Sequence, residues 1–216
     1  ARGIKKHSST DEYNYFQGIA GSFHLTDRLI MDAFYSYRKM DGIVDNQFIT
    51  SVKEDGFHRI PRDWEKKNTF SNQLIGSNIH YNGKQFEVGL TGVYNVFNKV
   101  LKSTYREYNK YYPRGKDFFN VGINYKFFWK KFTLLGETAI DKKGKIATMN
   151  MLRYSPKESF QLVVMNRFYD VAYQSLYANS VGEGSSVQNE SGFYIGLETS
   201  LLRYFKLLLY GDFFYF

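Results

Sequence analysis

The sequence predicts an all-β fold, an antiparallel up-and-down transmembrane β-barrel with about ten strands in view. Three observations carry that expectation. Apolar and polar residues alternate with period two over segments of roughly 10 to 13 residues, the length a tilted strand needs to cross a bilayer. Aromatic residues make up 19% of the 216, with 19 Tyr and 20 Phe against 3 Pro, a composition that suits strands and membrane interfaces. No segment carries a helical apolar stripe over three turns, and no apolar run approaches the ~18 residues of a transmembrane helix. The mean hydropathy of -0.45 fits a barrel, because strands with one lipid face and one lumen face average out polar.

In chain order the ten segments are 15–25, 29–38, 69–81, 85–97, 117–127, 132–141, 146–154, 160–169, 192–201 and 206–215. The clearest is 85–97, where Phe86, Val88, Leu90, Gly92, Tyr94 and Val96 take one face. Gln85, Glu87, Gly89, Thr91 and Asn95 take the other, with Val93 the exception. In 117–127, Phe119, Val121, Ile123, Tyr125 and Phe127 alternate with Asn120, Gly122, Asn124 and Lys126. In 192–201, Phe193, Ile195, Leu197 and Leu201 alternate with Tyr194, Gly196, Glu198 and Ser200. A soluble sandwich alternates too, but its strands run about five or six residues, roughly half the length of these. Aromatics also flank the short turns: Phe127, Phe128, Trp129 and Phe132 at one, Tyr81 and Phe86 at another, Tyr204 and Phe205 at a third. An interfacial girdle has that arrangement.

Short turns are expected at Thr26-Asp27-Arg28, Asn82-Gly83-Lys84, Trp129-Lys130-Lys131, Ser155-Pro156-Lys157-Glu158 and Leu202-Arg203-Tyr204. Asn-Gly is the strongest hairpin signal among them. Between them lie the polar connections 39–68, 98–116, the short 142–145, and 170–191. Outer-membrane barrels turn tightly on the periplasmic side and loop out on the other. The first segment then starts outside, and the tenth ends outside. A complete single-chain barrel has both ends in the periplasm, so residues 1–216 are expected to be one domain, a segment of a larger barrel incomplete at both ends. The competing expectation is a complete ten-stranded barrel, favoured by the even count and the ending Gly211-x-x-Phe214-x-Phe216. No signal peptide opens the sequence, which implies a mature or trimmed chain.

The absence of cysteine excludes a disulfide framework and Cys-ligated zinc. The net charge of +8 suits a polyanion surface or basic loops over anionic lipid. The bases are scattered among turns, which favours lipid. On the expected lumen face stand Asp32, Arg38, Glu87, Lys126, Glu137, Arg167, Glu198 and Asp212. These charges are expected to pair across strands as a lining, or else to form a polar path for a solute. The longest loop offers His58, Arg59, Asp63 and Glu65, which raises the idea of a hydrolase at the rim, as in ten-stranded outer-membrane proteases. No Ser nucleophile is spaced with them, so no catalytic set is assigned. The 4 His include no pair at ligand spacing, and neither metal nor other cofactor is expected. Loop 98–116 interleaves bases with tyrosines, a pattern that either stacks nucleic-acid bases or packs as a girdle against lipopolysaccharide phosphates. The second is preferred. Loop 179–191 carries no recognisable chemistry.

Several stretches resemble a family of Bacteroidota outer-membrane barrels. They are Thr10-Asp11-Glu12-Tyr13-Asn14-Tyr15-Phe16-Gln17-Gly18-Ile19-Ala20, Gly56-Phe57-His58-Arg59 with Glu65 and Lys67, and Gly136-Glu137. The likeness continues in Asn166-Arg167-Phe168-Tyr169 with Tyr173, and in Asn189-Glu190-Ser191-Gly192-Phe193-Tyr194-Ile195-Gly196. It ends at Tyr210-Gly211-Asp212-Phe213-Phe214. Gln17 stands where the family has Arg, and Ile60 where it has Thr. The resemblance implies a larger protein with a helix-hairpin-helix region before the barrel, and by fold analogy a role in DNA binding or uptake. Three expectations follow. The preferred one is a porin-like conduit or a structural part of an envelope complex, in the outer membrane, with lipid, lipopolysaccharide and envelope proteins as partners. The others are nucleic-acid binding and a rim hydrolase.

Overall fold

The structure, a computed structural model, describes Ile4, Tyr13 and residues 15–202 and 205–216, with backbone only at 201 and 202. Twelve strands are described: β1 (Gly18–His24), β2 (Leu29–Met40), β3 (Gly42–Asp45), β4 (Phe48–Val52), β5 (Phe70–Asn82) and β6 (Phe86–Leu101). They continue as β7 (Gly115–Trp129), β8 (Phe132–Asp141), β9 (Ile146–Lys157), β10 (Phe160–Tyr169), β11 (Glu190–Leu202) and β12 (Phe205–Tyr215). Ten of them form one antiparallel meander in the order β1-β2-β5-β6-β7-β8-β9-β10-β11-β12. All ten segments expected from period two are strands of this meander. Among the described residues β1 and β12 each pair on one side only, and closure into a barrel is not found.

Two expectations need correction. The connection 39–68 is not a plain polar loop, because it holds the β3–β4 hairpin and a one-turn helix α1 (Pro61–Trp64). Ile43, Val44, Phe48 and Ile49 are strand formers on either side of Asn46, whose φ of 52° supplies the turn. The turn expected at Ser155–Glu158 lies later, since β9 runs to Lys157. Pro156 sits opposite a register irregularity in the β9–β10 pair, where a missing N–H breaks no regular rung. Gly83 does not take positive φ. Strand β5 keeps Asn82, and the hairpin closes with the Gly83 N–H donating to the Phe86 carbonyl at 2.8 Å. Arg203 and Tyr204, in the expected last turn, lie outside the described residues, as do Thr10, Asp11, Glu12 and Asn14.

The sheet has one covered and one bare face. On β2, Asp32, Ser36, Arg38 and Met40 are buried while Tyr35 and Tyr37 are exposed. On β5, Phe70, Asn72, Leu74 and His80 are buried while Ile75 and Ile79 are exposed. The alternation is the period-two reading realised, with the polar set on the covered side. An apolar core fills one end of that side: Met40, Ile49, Phe70, Phe97, Leu101 and Phe118, with Leu176 packed against it. Ile49 is 0% exposed, so the β3–β4 hairpin acts as a lid over β2, β5, β6 and β7.

Candidate functional site

The connection between β10 and β11 folds back over the covered face. Its docking residues come from a row of polar side chains, one per strand. Asn72 on β5 donates to the Tyr177 hydroxyl at 2.5 Å. Asn120 on β7 donates to the Gln174 carbonyl at 2.9 Å. Asp141 on β8 accepts the Gln174 N–H at 2.9 Å, and the N–H groups of Lys143 and Lys145 at 2.8 and 2.9 Å. Gln174 in turn donates its side-chain amide to the Tyr111 carbonyl at 3.2 Å. Leu176 reaches the apolar core on the far side. The segment is therefore a strap that crosses from β10 to β5. Gln174 is matched at its N–H, carbonyl and side-chain amide, while on the covered face Asn72 Oδ1 and both side-chain polar atoms of Asn95 have no partner among the described residues.

The strap's return is anchored by charge. Arg167 on β10, 0% exposed, donates from Nε to Glu190 at 2.5 Å and from Nη1 to Asp212 at 2.8 Å. The second oxygen of Glu190 accepts the Glu183 N–H at 3.0 Å, so the same carboxylate ties strap to sheet. Gly192 makes room, because a Cβ there would lie 2.5 Å from the Arg167 guanidinium carbon. Tyr173 is buried, and its phenol is held above the usual value chiefly by that burial.

The eight charged residues expected on one face do share the covered face, but they pair less than expected. Arg167–Asp212 forms an ion pair, and Glu198 pairs with Lys206. Among the described residues Arg38 meets no carboxylate: it donates to the carbonyls of Tyr13 and Tyr15, both at 2.5 Å, and stacks on both rings. Asp32 accepts from Ser22 at 2.5 Å and lies 3.9 Å from His80. That order puts the acid between hydroxyl and imidazole, whereas a nucleophilic triad needs the imidazole in the middle. Lys126 lies over the Phe128 ring. Among the described residues Glu87 and Glu137 have no ion-pair partner, although Glu87 stands in register with Lys126.

The outer-loop candidates do not assemble. His58 meets Asp41 at 2.7 Å and lies near Trp64, Arg59 stacks on Phe57, and Asp63 sits in the first turn of α1. Glu65 caps the end of α1. Among the described residues no group of three acidic, His or Cys side chains could hold a metal. In the loop between β6 and β7 the bases stack on its own tyrosines, Arg106 on Tyr108, Lys110 on Tyr111 and Arg114 on Tyr105.

One cavity, of about 390 Å³, lies where the strap's Leu176 and Tyr177 meet Arg38 and Met40, and two more open beside the strap on the β7–β9 side. The larger, of about 430 Å³, is walled by Met149, Tyr169, Tyr173 and Val187; the smaller, of about 190 Å³, adjoins Asn120 and Tyr177. Glu137, Ala139, Tyr173 and Ala178 line both. Sequence reasoning had placed Glu137 on this face but passed over Asn72, Asp141, Gln174 and Tyr177. Each docking Asn reads as an ordinary polar-face residue, and nothing local signals that a segment more than 30 residues away lands on it. No protein-family model matches the chain, and no curated protein is similar to it.

Proposed function

We propose that the chain is an integral β-barrel protein of a bacterial outer membrane, with the bare face toward lipid and the covered face as a lumen. It serves as a plugged conduit or as a structural part of an envelope complex. One observation carries this reading: among the described residues the bare face is a continuous apolar belt with nothing over it. Ile75, Leu90, Ile123, Leu134, Ile140, Leu152 and Ile195, on six strands, are each 38–55% exposed. In water such a belt far exceeds the few hundred Å² a monomer commonly leaves bare. In hydrocarbon it costs nothing.

The ends of the belt support the same reading. Trp129, Phe132 and Tyr154 stack in sequence at the β7–β8 turn, with Phe160 edge-on beyond, a girdle of the kind found at lipid headgroups. A sheet inside a bilayer leaves no edge unpaired. The free edges of β1 and β12 accordingly pair with each other or with further strands. The strap and the apolar core argue for a plugged rather than a freely open interior. The nucleic-acid alternative implied by the resemblance draws no support from the loop after β6, whose cations already lie over its own rings.

Extraction tests the proposal. Refolded with phospholipid vesicles, the chain is expected to stay in the lipid fraction through alkaline carbonate treatment. Quantitative release into the aqueous fraction as a folded monomer would overturn it.

A further inference from the structure

The larger cavity has a chemistry of its own. Among the described residues its one charge is the carboxylate of Glu137, which is solvent-accessible, and no Lys, Arg or His lines the space. Most other acids on the covered face are already satisfied: Asp141 by three N–H groups, Glu190 and Asp212 by Arg167, and Glu198 by Lys206. The walls are mostly apolar and aromatic, from Met149, Ala147, Val187, Tyr169 and Tyr173, with Thr148, Asn179 and Ser180 as neutral polar exceptions. Both phenols already have hydrogen-bond partners. Tyr169 bonds with Ser180 and donates to the Val181 carbonyl, both at 2.7 Å, and Tyr173 accepts from Asn120 at 3.4 Å. What the two tyrosines offer the cavity is ring surface.

A lone carboxylate in an apolar, aromatic-walled space rejects anions and selects cations with an apolar body. An inorganic cation would lose more hydration than one carboxylate and a few neutral oxygens return, and among the described residues no second acid, His or Cys joins Glu137 in the lining. An organic ammonium loses less, because its alkyl part gains from burial while the charge stays at the mouth. We infer that the cavity beside Glu137 is a binding site for small organic ammonium compounds, held between the strap and β8–β9. Ala178 and Val181 of the strap form its roof, so an occupied site also braces the strap. This names a ligand class for the interior read above as a lumen, and takes its biological meaning from that reading.

The test is calorimetric titration of the folded protein in detergent with n-butylammonium, and in parallel with butan-1-ol and butyrate. Binding in detergent does not depend on vesicle insertion, so failure here and failure of the membrane reading are separate results. Saturable binding of n-butylammonium is expected, with butan-1-ol and butyrate at least about tenfold weaker. Glu137→Gln is expected to weaken n-butylammonium at least about tenfold, Glu137→Asp less, and Glu87→Gln, outside the cavity, not at all. Absence of saturable binding to the unaltered protein would overturn the inference. So would equal affinity in Glu137→Gln with unchanged circular dichroism.

Discussion

Arg167 holds two carboxylates from different strands, and with them the return of the strap. Its side chain is fully buried, and that of Glu190 is 1% exposed. Removing the cation leaves a buried negative charge without compensation, which costs about 3–5 kcal/mol. Arg167→Ala is therefore expected to lower the midpoint of chemical unfolding substantially, and Arg167→Lys less, because one ammonium cannot reproduce the fork. Gly192→Ala forces a methyl against that guanidinium, which two carboxylates prevent from moving away, and should cost about 1–3 kcal/mol as overpacking does. An unfolding midpoint unchanged in both Arg167→Ala and Gly192→Ala would show that the cluster is not a clamp. Tyr173 sets a pH dependence. Its phenol is raised above its ordinary value of 10.0 by burial, so it favours the docked strap only while protonated. That contribution is complete below pH 10 and is lost as pH rises through the folded-state value. Protease cleavage within the strap should rise above pH 10 more steeply in the unaltered protein than in Tyr173→Phe; parallel curves would remove Tyr173 from the account.

At the scale of elements, the strap is held by matched polar pairs rather than by a large apolar area. The Gln174 amide donates to two carbonyls of the loop between β6 and β7. Gln174→Ala leaves both without that donor, and Asp141→Ala removes an acceptor of three N–H groups. Each should expose the strap to proteolysis and, in planar bilayers, raise conductance above that of the unaltered protein. Protected straps in both variants would mean that docking rests on the other contacts, Leu176, Tyr177, the Asn120 bond to the Gln174 carbonyl and the Arg167–Glu190 anchor. These elements also mark how far the sequence could be read. The ten long strands were legible because each alternates over enough residues to outweigh any competing period. The β3–β4 hairpin was not, since Gly42–Asp45 is too short to show a period, and the Lys and Glu residues after it read as loop. The strap was invisible for another reason. Gly182, Gly184, Ser185 and Ser186 announce irregular backbone, but its partners Asn72, Asn120 and Asp141 are scattered over three strands. The eight charges share one face, as expected, but fewer of them pair across strands than expected, because register alone does not say where a long side chain goes. Glu87 opposite Lys126 is the case in point.

At the scale of the whole molecule, one sheet carries two opposite surfaces. The covered face is polar with local apolar filling, and the bare face is apolar and aromatic from β1 to β12. That inversion of a water-soluble sheet is the core of the proposed membrane placement, and it can be measured residue by residue. The chain has no cysteine, so single cysteines report without background. The decisive measurement is a scan of β6 from Phe86 to Tyr94 in vesicle-reconstituted protein, labelling each position with a water-soluble thiol reagent. Positions 86, 88, 90, 92 and 94 are expected to resist the aqueous reagent and to react with a lipid-phase one. Positions 87, 89, 91 and 93 are expected to show the reverse. Uniform aqueous labelling of 86, 88, 90, 92 and 94 would contradict the membrane placement outright.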